Sequence, residues 1–417
     1  MANRGSILAA LFLSCAIFPL LAFANFELPT LPDPSKAADD FARIVKGLEG
    51  GEGFPGFSSP WLQNPGEQYD EPDKPIGEKP KPDPVQGPGE PQIPGPGEPK
   101  IPGPKEPQIP GPGEPQPKPG VLKEGFYQQS CPQAEKIVNE VINKIFQKDP
   151  TIAPALVRLF FHDCFVTGCD ASILLDRTPS GEDIEKNSPQ NGKFVRGFEA
   201  IDEIKARLEA ECPGVVSCAD VLAFANREAL VYTGVPNFNM AGGRRDGLAS
   251  LAKNGELNLP LPESTAQQMI ELFQRKGMTI EEMVVLIGAH SIGAAHCTVV
   301  AGRFRDPEKS KVIDRGYLMK MQVMTMCQND TQDLAFDPYS QQKMDSRFYK
   351  ELLRNRALLE SDQNLVLEPN ANGVMKKYVG DQNGWLASFT AAITKLGGIE
   401  VLTGDQGEIR KQCRFVN

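Results

Sequence analysis

RLFFHDCF, residues 158–165, is the stretch on which the reading of the fold turns. The chain has only three histidines, and one of them, His162, stands four residues after Arg158. That spacing puts guanidinium and imidazole on one helical face, about one turn apart. Leu159, Phe160 and Phe161 between them predict a buried helix, where a permanently charged group needs a reason beyond ordinary surface pairing with a carboxylate. A second context, VVLIGAHSIGAAHC (284–297), sets His290 inside an apolar helix among Gly288, Ala289, Gly293, Ala294 and Ala295. Small residues let a large flat group approach closely; a core histidine with a backbone partner is the rival explanation. His296 faces elsewhere and is secondary.

Working outward, apolar residues recur at helical spacing in CPQAEKIVNEVINKIF (131–146), TIAPALVRLFFHDC (151–164), SCADVLAFANREAL (217–230), STAQQMIELFQRKG (264–277) and TIEEMVVLIGAHSIGAAHC (279–297). Alternating strand patterns are scarce, so the part after Gly120 reads as mainly α-helical and long enough for a large core. Asp149 with Pro150, Ser264, and Thr279 with Glu282 carry helix-starting chemistry.

The first residues, MANRGSILAALFLSCAIFPLLAFA (1–24), combine a basic Arg4, an apolar run and small residues at Ala22 and Ala24, the pattern of a secretory signal cleaved after Ala24. The run is short for a membrane anchor, which needs roughly 18 or more consecutive apolar residues. Cleavage removes Cys15 and leaves Cys131, Cys164, Cys169, Cys212, Cys218, Cys297, Cys327 and Cys413. An even set in an exported chain favours disulfides whose pairing spacing alone does not choose; a metal site from Cys164, Cys169 and His162 belongs to a reducing cytosol. A formal charge of -10 argues against gripping nucleic acid or anionic membrane.

Between signal and helices lies a different texture. Octets repeat as GPGEPQIP, GPGEPKIP, GPKEPQIP and GPGEPQPK across residues 87–118. Frequent proline and low apolar content predict an extended, polyproline-like arm that serves as spacer or adhesive. Residues 25–86 carry few folding signals apart from SKAADDFARIVKGLEG (35–50), where Phe41, Ile44, Val45 and Leu48 share a helical face.

RLFFHDCFVTGCDASILLD (158–176), VVLIGAHSIGAAHC and the eight cysteines together closely resemble the secreted class III plant peroxidases, over about residues 121–417. The resemblance implies a 120–417 peroxidase domain behind a 1–24 signal and a 25–119 extension. It implies the plant haem peroxidase fold, mainly α-helical and disulfide-stabilised, with two helical subdomains enclosing a b-type haem. It also implies an enzyme that cleaves hydrogen peroxide and oxidises phenolic donors in one-electron steps. A haem between two helices needs one imidazole on its iron and, opposite, an acid-base group beside a fixed positive charge, which answers why His162 follows Arg158.

By that resemblance, His162 is the distal proton acceptor, Arg158 the charge that steadies the departing oxygen, and Asn191 in EKNSPQN the acceptor of the other imidazole proton. Phe161 guards the haem face, and Pro260 in NLPLP marks the donor edge or is simply a turn proline. His290 is the axial iron ligand and Asp362 its hydrogen-bond partner. Two Ca2+ sites are implied: Asp163, Val166, Gly168, Asp170 and Ser172 for the first; Ser291, Asp337, Ser340, Lys343 and Asp345 for the second. The donors are hard oxygens suited to that cation, although such clusters are usually solvated loops. The implied disulfides join Cys131 to Cys212, Cys164 to Cys169, Cys218 to Cys413 and Cys297 to Cys327.

Departures from the family pattern are the proline-rich arm, Phe238 where a tryptophan is usual, Thr167 for a common asparagine, and Val299 where a haem-edge phenylalanine often sits. The chain ends at CRFVN without the tail that would imply vacuolar sorting, so the expectation is a monomer in the extracellular space or cell wall. Asn329 in NDT is a glycosylation acceptor, and cell-wall polymers are candidate partners of the arm. The competing class is a wall-binding structural protein on an inactive peroxidase scaffold, for which an intact Arg158, His162, Asn191, His290 and Asp362 set has no evident use.

Overall fold

The computed structural model describes residues 121–192, 195–329 and 331–417. The signal-like segment 1–24, the 25–119 extension with its 87–118 octets, and the Phe41–Leu48 face lie outside the described residues.

Helix α1 (Ala134–Lys148) buries Ala134, Ile137, Val138, Ile142 and Phe146, the one-sided stripe its spacing predicts. Helix α2 (Ile152–Val166) buries most of its length, including Phe160, His162 and Asp163. The Asp149–Pro150 start expected from sequence lies one step too early: Thr151 is the N-cap, without a side-chain capping bond, and the Asp149 carboxylate accepts from the Thr151 N–H at 2.9 Å just ahead of the helix. Helices α3 (Phe198–Glu211) and α4 (Cys218–Tyr232) pack with α1, and α4 also lies along α2. Ser217 caps α4 by accepting from the Asp220 N–H.

Short α5 (Ala252–Asn258) leads to α6 (Ala266–Arg275) and α7 (Ile280–Ile287), both opened by capping boxes. For α7 the pair is Thr279 with Glu282, as expected. For α6 it is Thr265 with Gln268 and not Ser264. The Ser264 hydroxyl instead accepts from the Leu261 N–H, closing the preceding turn. The expected continuous helix through His290 also stops early. After Ile287 the chain tightens into a 3-10 turn, Gly288–Ser291, which carries His290. Gly293 then takes a left-handed φ of 80°, and Ala294–His296 becomes strand β1, antiparallel to β2 (Asp333–Ala335). A left-handed residue ends helical propagation, and glycine adopts it without a Cβ penalty.

Helices α8 (Cys297–Arg305), α9 (Pro307–Ser310) and α10 (Arg315–Met324) follow. After β2 come α11 (Arg347–Leu353), α12 (Glu360–Asn364), α13 (Pro369–Tyr378) and α14 (Gln382–Leu396), with α13 and α14 packed on α7. Buried apolar side chains form one large core, plus a smaller one of Cys297, Val300, Phe304, Ile313, Met321, Leu334 and Leu358 around α8 and α10. Among the described residues no helix is long and apolar enough to cross a membrane.

Among the described residues four disulfides join Cys131 to Cys212, Cys164 to Cys169, Cys218 to Cys413 and Cys297 to Cys327. A buried ion pair adds a polar tie. Arg244 Nη1 donates to Asp220 Oδ1 at 2.7 Å, and its Nε reaches the Gly397 carbonyl at 2.8 Å. The Tyr127 hydroxyl donates to Asp220 Oδ2 at 2.7 Å, so the start of the domain, α4 and the end of α14 share one network. Burial and the Asp220 charge push the Tyr127 hydroxyl well up, keeping it a donor.

Candidate active site

Helix α2 presents Arg158 and His162 one turn apart, as the spacing requires. His162 Nδ1 lies 2.5 Å from Asn191 Oδ1. The Asn191 amide is oriented because its Nδ2 donates to the Glu185 carbonyl, which leaves Oδ1 as the atom facing the ring. His162 therefore carries its proton on Nδ1, and Nε2 presents the accepting lone pair. Arg158 Nε points at that nitrogen from 3.3 Å, while Nη2 is held by the carbonyls of Gln190 and Asn191, each at 3.2 Å.

Burial, the Arg158 charge and any charge on His290 push the His162 pKa down from 6.5 to about 3, the Asn191 bond opposing them. The ring is neutral at physiological pH. Burial also lowers the Arg158 pKa. Its side chain still has substantial accessible surface, the pattern of a group on the wall of a cleft, dense with protein around it yet open on one side.

The second imidazole is anchored from behind. His290 Nδ1 lies 3.1 Å from both Asp362 oxygens, and Asp362 is 1% exposed, whereas the His290 side chain is 34% exposed. Nδ1–H must donate to the carboxylate, so Nε2 presents a lone pair on the open side. Phe336 stacks on the ring at 4.5 Å between centroids and 6° between planes, and Phe348 meets it edge-on. Of the small residues around His290, Gly288 serves packing: a Cβ there would strike Tyr349 and Trp385. The close-approach role expected of it from sequence is therefore corrected.

These features fit a haem. One buried imidazole and one half-buried, carboxylate-backed imidazole each present an Nε2 lone pair, and Arg158, half-buried Phe161 and His290 all offer surface. Pro260 is half-buried. Its loop is tied to α12, where Pro262 accepts from the Ser361 N–H and Ser264 from the Asn364 side chain. Phe238 packs at the edge of the large core, and Val299 is exposed.

The two oxygen-rich loops are assembled. After α2, Asp163 Oδ2 accepts from the Ala171 N–H at 3.0 Å, Asp170 Oδ1 from the Ser172 N–H at 2.9 Å, and the Thr167 and Ser172 hydroxyls meet at 3.1 Å. Asp163 Oδ1 is buried with no hydrogen-bond partner. Burial raises the pKa of Asp163, reinforced by Asp170, and burial holds Asp170 up at about 6. Buried carboxylates with an unpartnered oxygen are residues that could hold a cation, although Arg410 already brings positive charge to both. The carbonyl of Val166 meets Lys276 and that of Gly168 accepts from the Asp170 N–H.

In the second loop Ser340 donates to Asp337 Oδ2 at 3.0 Å and approaches Asp345 Oδ2 at 2.7 Å. The Asp345 N–H points at the Ser291 hydroxyl from 3.4 Å, and the Lys343 N–H donates to the Ser340 carbonyl. Among the described residues no three His, Cys, Asp or Glu side chains converge as a metal cluster. Either shell would therefore be completed by hydroxyl and carbonyl oxygens, as hard cations accept. Asn329 is exposed.

Sequence reasoning missed Phe336 and Glu185. In FDPYS (336–340) Asp337 and Ser340 stand out as oxygen donors, and a stacking ring has no local signal. Glu185 is fully buried, both its carboxylate oxygens are unpartnered, and burial followed by the charges of Asp170 and Asp163 raises its pKa. Its position in EKNSPQN, six residues before Asn191, was the available clue.

A family model described as Peroxidase matches residues 138–381. Peroxidase 5 of Vitis vinifera is 42% identical over 302 residues, 71% of this chain and 92% of that protein. Peroxidase 39 of Arabidopsis thaliana is 40% identical over 304 residues, 71% of this chain and 93% of that protein. Peroxidase 9 of the same plant is 40% identical over 300 residues, 70% and 86%.

Proposed function

Because the chain belongs to the plant class III peroxidase family and is a peroxidase, we propose that it is exported and uses hydrogen peroxide to oxidise small phenolic donors one electron at a time. The single observation that carries this reading is the pair of oppositely prepared imidazoles. His162 has its proton fixed on Nδ1 by Asn191, and His290 has its Nδ1–H fixed by Asp362, so each offers Nε2.

Haem, which the family implies, would supply when bound the iron that takes up peroxide and the redox equivalents for the donor. His290 Nε2 would hold that iron. Asp362, buried behind the ring, gives the imidazole anionic character. His162 Nε2 takes a proton from hydrogen peroxide and returns it to the departing oxygen, so that water leaves instead of hydroxide. Arg158 faces the same space with a charge that needs no reorganisation as negative charge develops. Asn191 keeps the receiving lone pair on Nε2 throughout. Pro260 would border the donor's resting place, and the two oxygen-rich loops would each hold Ca2+. Residues 1–24 would direct export, and the protein would act as a monomer in the extracellular space or wall, possessing a glycan at Asn329.

The test is a haem absorption spectrum of the purified protein together with peroxide-dependent oxidation of a phenol. Haem binding without turnover would favour the scaffold reading instead. The same assay reads the proton acceptor. A neutral His162 with its pKa near 3 predicts a peroxide step whose rate is flat down to about pH 5 and falls only toward the depressed value. Stability follows the same sign: the unfolded imidazole takes up its proton first, so the contribution of His162 is complete above about 6.5 and erodes as pH falls toward 3. A rate inflection at the ordinary value would contradict the assignment.

For the proline-rich arm we propose a spacer or adhesive role on wall polymers, supported by its repeated octets. Deleting residues 25–118 and measuring retention on isolated walls separates the two; unchanged retention eliminates adhesion.

A further inference from the structure

Lys276 follows directly on α6, and its side chain is 7% exposed. Its ammonium makes two contacts. Nζ donates to the Val166 carbonyl at 2.9 Å and to Glu400 Oε2 at 2.6 Å. Val166 ends α2, and its carbonyl is one of the oxygens assigned to the first cation loop in the reading above. Glu400 has a left-handed φ of 50°, and its own carbonyl packs so tightly on Gly168 that no Cβ would fit there. Beside it, the Cys169 N–H donates to the Ile399 carbonyl at 3.3 Å. Three separated segments therefore meet at the back of the loop, and the charge they bring is one ammonium countered by one carboxylate.

A lysine is a strongly hydrated point charge, and burying it calls for compensation. The compensation comes from Glu400; the same loop also carries the buried Asp163 and Asp170, the former with an oxygen left without a hydrogen-bond partner, and Arg410 is the cation that acts on those two carboxylates. A carbonyl oxygen has two lone pairs, so Val166 can serve Lys276 and a metal ion together. Two positive charges on one oxygen nevertheless repel, and the repulsion is strong where water is excluded.

We propose that Lys276 is a built-in counter-cation of this loop: it stands in at the Val166 oxygen when no divalent cation is bound, competes with one that arrives, and is moderated by Glu400. This rests on the reading of the loop as a cation site. It differs from a plain structural staple, which would strengthen the metal-free and metal-bound forms alike. Here the ammonium favours the metal-free form, and Glu400 determines how much repulsion the metal meets.

The experiment uses the full-length, haem-loaded protein, with calcium chloride as the probe and EDTA as the metal-free reference. Calcium affinity is titrated, and unfolding temperatures are read in both conditions. Lys276→Met keeps the chain length without the charge. It should tighten the calcium Kd at least threefold and widen the temperature gap between calcium and EDTA. Glu400→Gln leaves the ammonium unmoderated and should weaken the Kd at least threefold. Lys276→Arg, which keeps the charge, should behave as the unaltered protein and guards against a mere folding defect in the methionine variant.

Equal temperature losses in both conditions with an unchanged Kd overturn the proposal, as does a shift of the same sign in Lys276→Met and Glu400→Gln. If the unaltered protein shows no calcium response, or Asp163→Asn with Asp170→Asn leaves that response intact, the cation reading of the loop itself has failed and the proposal goes with it.

Discussion

Replacing His162 by alanine should slow peroxide cleavage by roughly 10²- to 10⁴-fold, the range set by removing a positioned general base, while haem still binds with its Soret absorption in place. The reasoning is local. Nε2 of His162 is the titratable acceptor beside Arg158, whose other contacts are backbone carbonyls, and Asn191 holds the ring with its lone pair toward that guanidinium. Alanine removes the acceptor and leaves the second imidazole untouched, because His290 is positioned by Asp362 and Phe336 from other parts of the chain. His290→Ala should do the reverse, changing the spectrum of the iron itself. The pair is decisive together: identical spectra for the two variants, or full peroxide turnover without His162, would sink the assignment of sides.

Breaking Cys218–Cys413 should cost far more stability than breaking Cys164–Cys169. The two bridges span 195 and 5 residues respectively. In chain-entropy terms the longer loop corresponds to about 5 kcal/mol and the shorter to about 2 kcal/mol, because the closure cost grows with the logarithm of loop length. The long bridge also lies within a buried network: Arg410 donates to the Cys413 carbonyl at 2.6 Å and to the Ala171 carbonyl at 2.7 Å, and the Cys218 N–H donates to Asp246 at 3.1 Å. Replacing each cysteine pair by serine and following unfolding in urea reads the difference. Per-molecule peroxide turnover of the still-folded fraction should be nearly unchanged for the long bridge, whose cysteines do not touch the imidazoles. Equal losses for the two bridges would refute the loop-length account.

Much of the site was legible in the sequence because its parts are local. Arg158 and His162 are four residues apart on one helix, so their shared face follows from helical geometry alone. The helical character of the domain was legible for the same reason, through the stripe of Ile137, Val138, Ile142 and Phe146 and the Thr279 capping box. What failed was also physical. The apolar run through His290 has helical spacing throughout, yet a left-handed Gly293 and pairing with residues 333–335 turn it into a tight turn and a strand. Tertiary partners overrode local periodicity. The joining of His162 to Asn191 and of His290 to Asp362, over 29 and 72 residues, carries no spacing signal and came only through resemblance to a family. Phe336 escaped even that, since nothing in FDPYS marks a ring as a lid on an imidazole.

The C-terminal half of the network has a consequence for biosynthesis. Arg410 clamps the carbonyls of Asp170 and Ala171 across 240 and 239 residues, while the Asp176 N–H donates to the Arg414 carbonyl at 3.0 Å. At the about 5–20 residues per second of translation, the loop beyond α2 must wait roughly 10–50 s for its clamp to leave the ribosome. The loop after helix α2 is thus made early and clamped late, so its finished shape waits for the last residues of the chain.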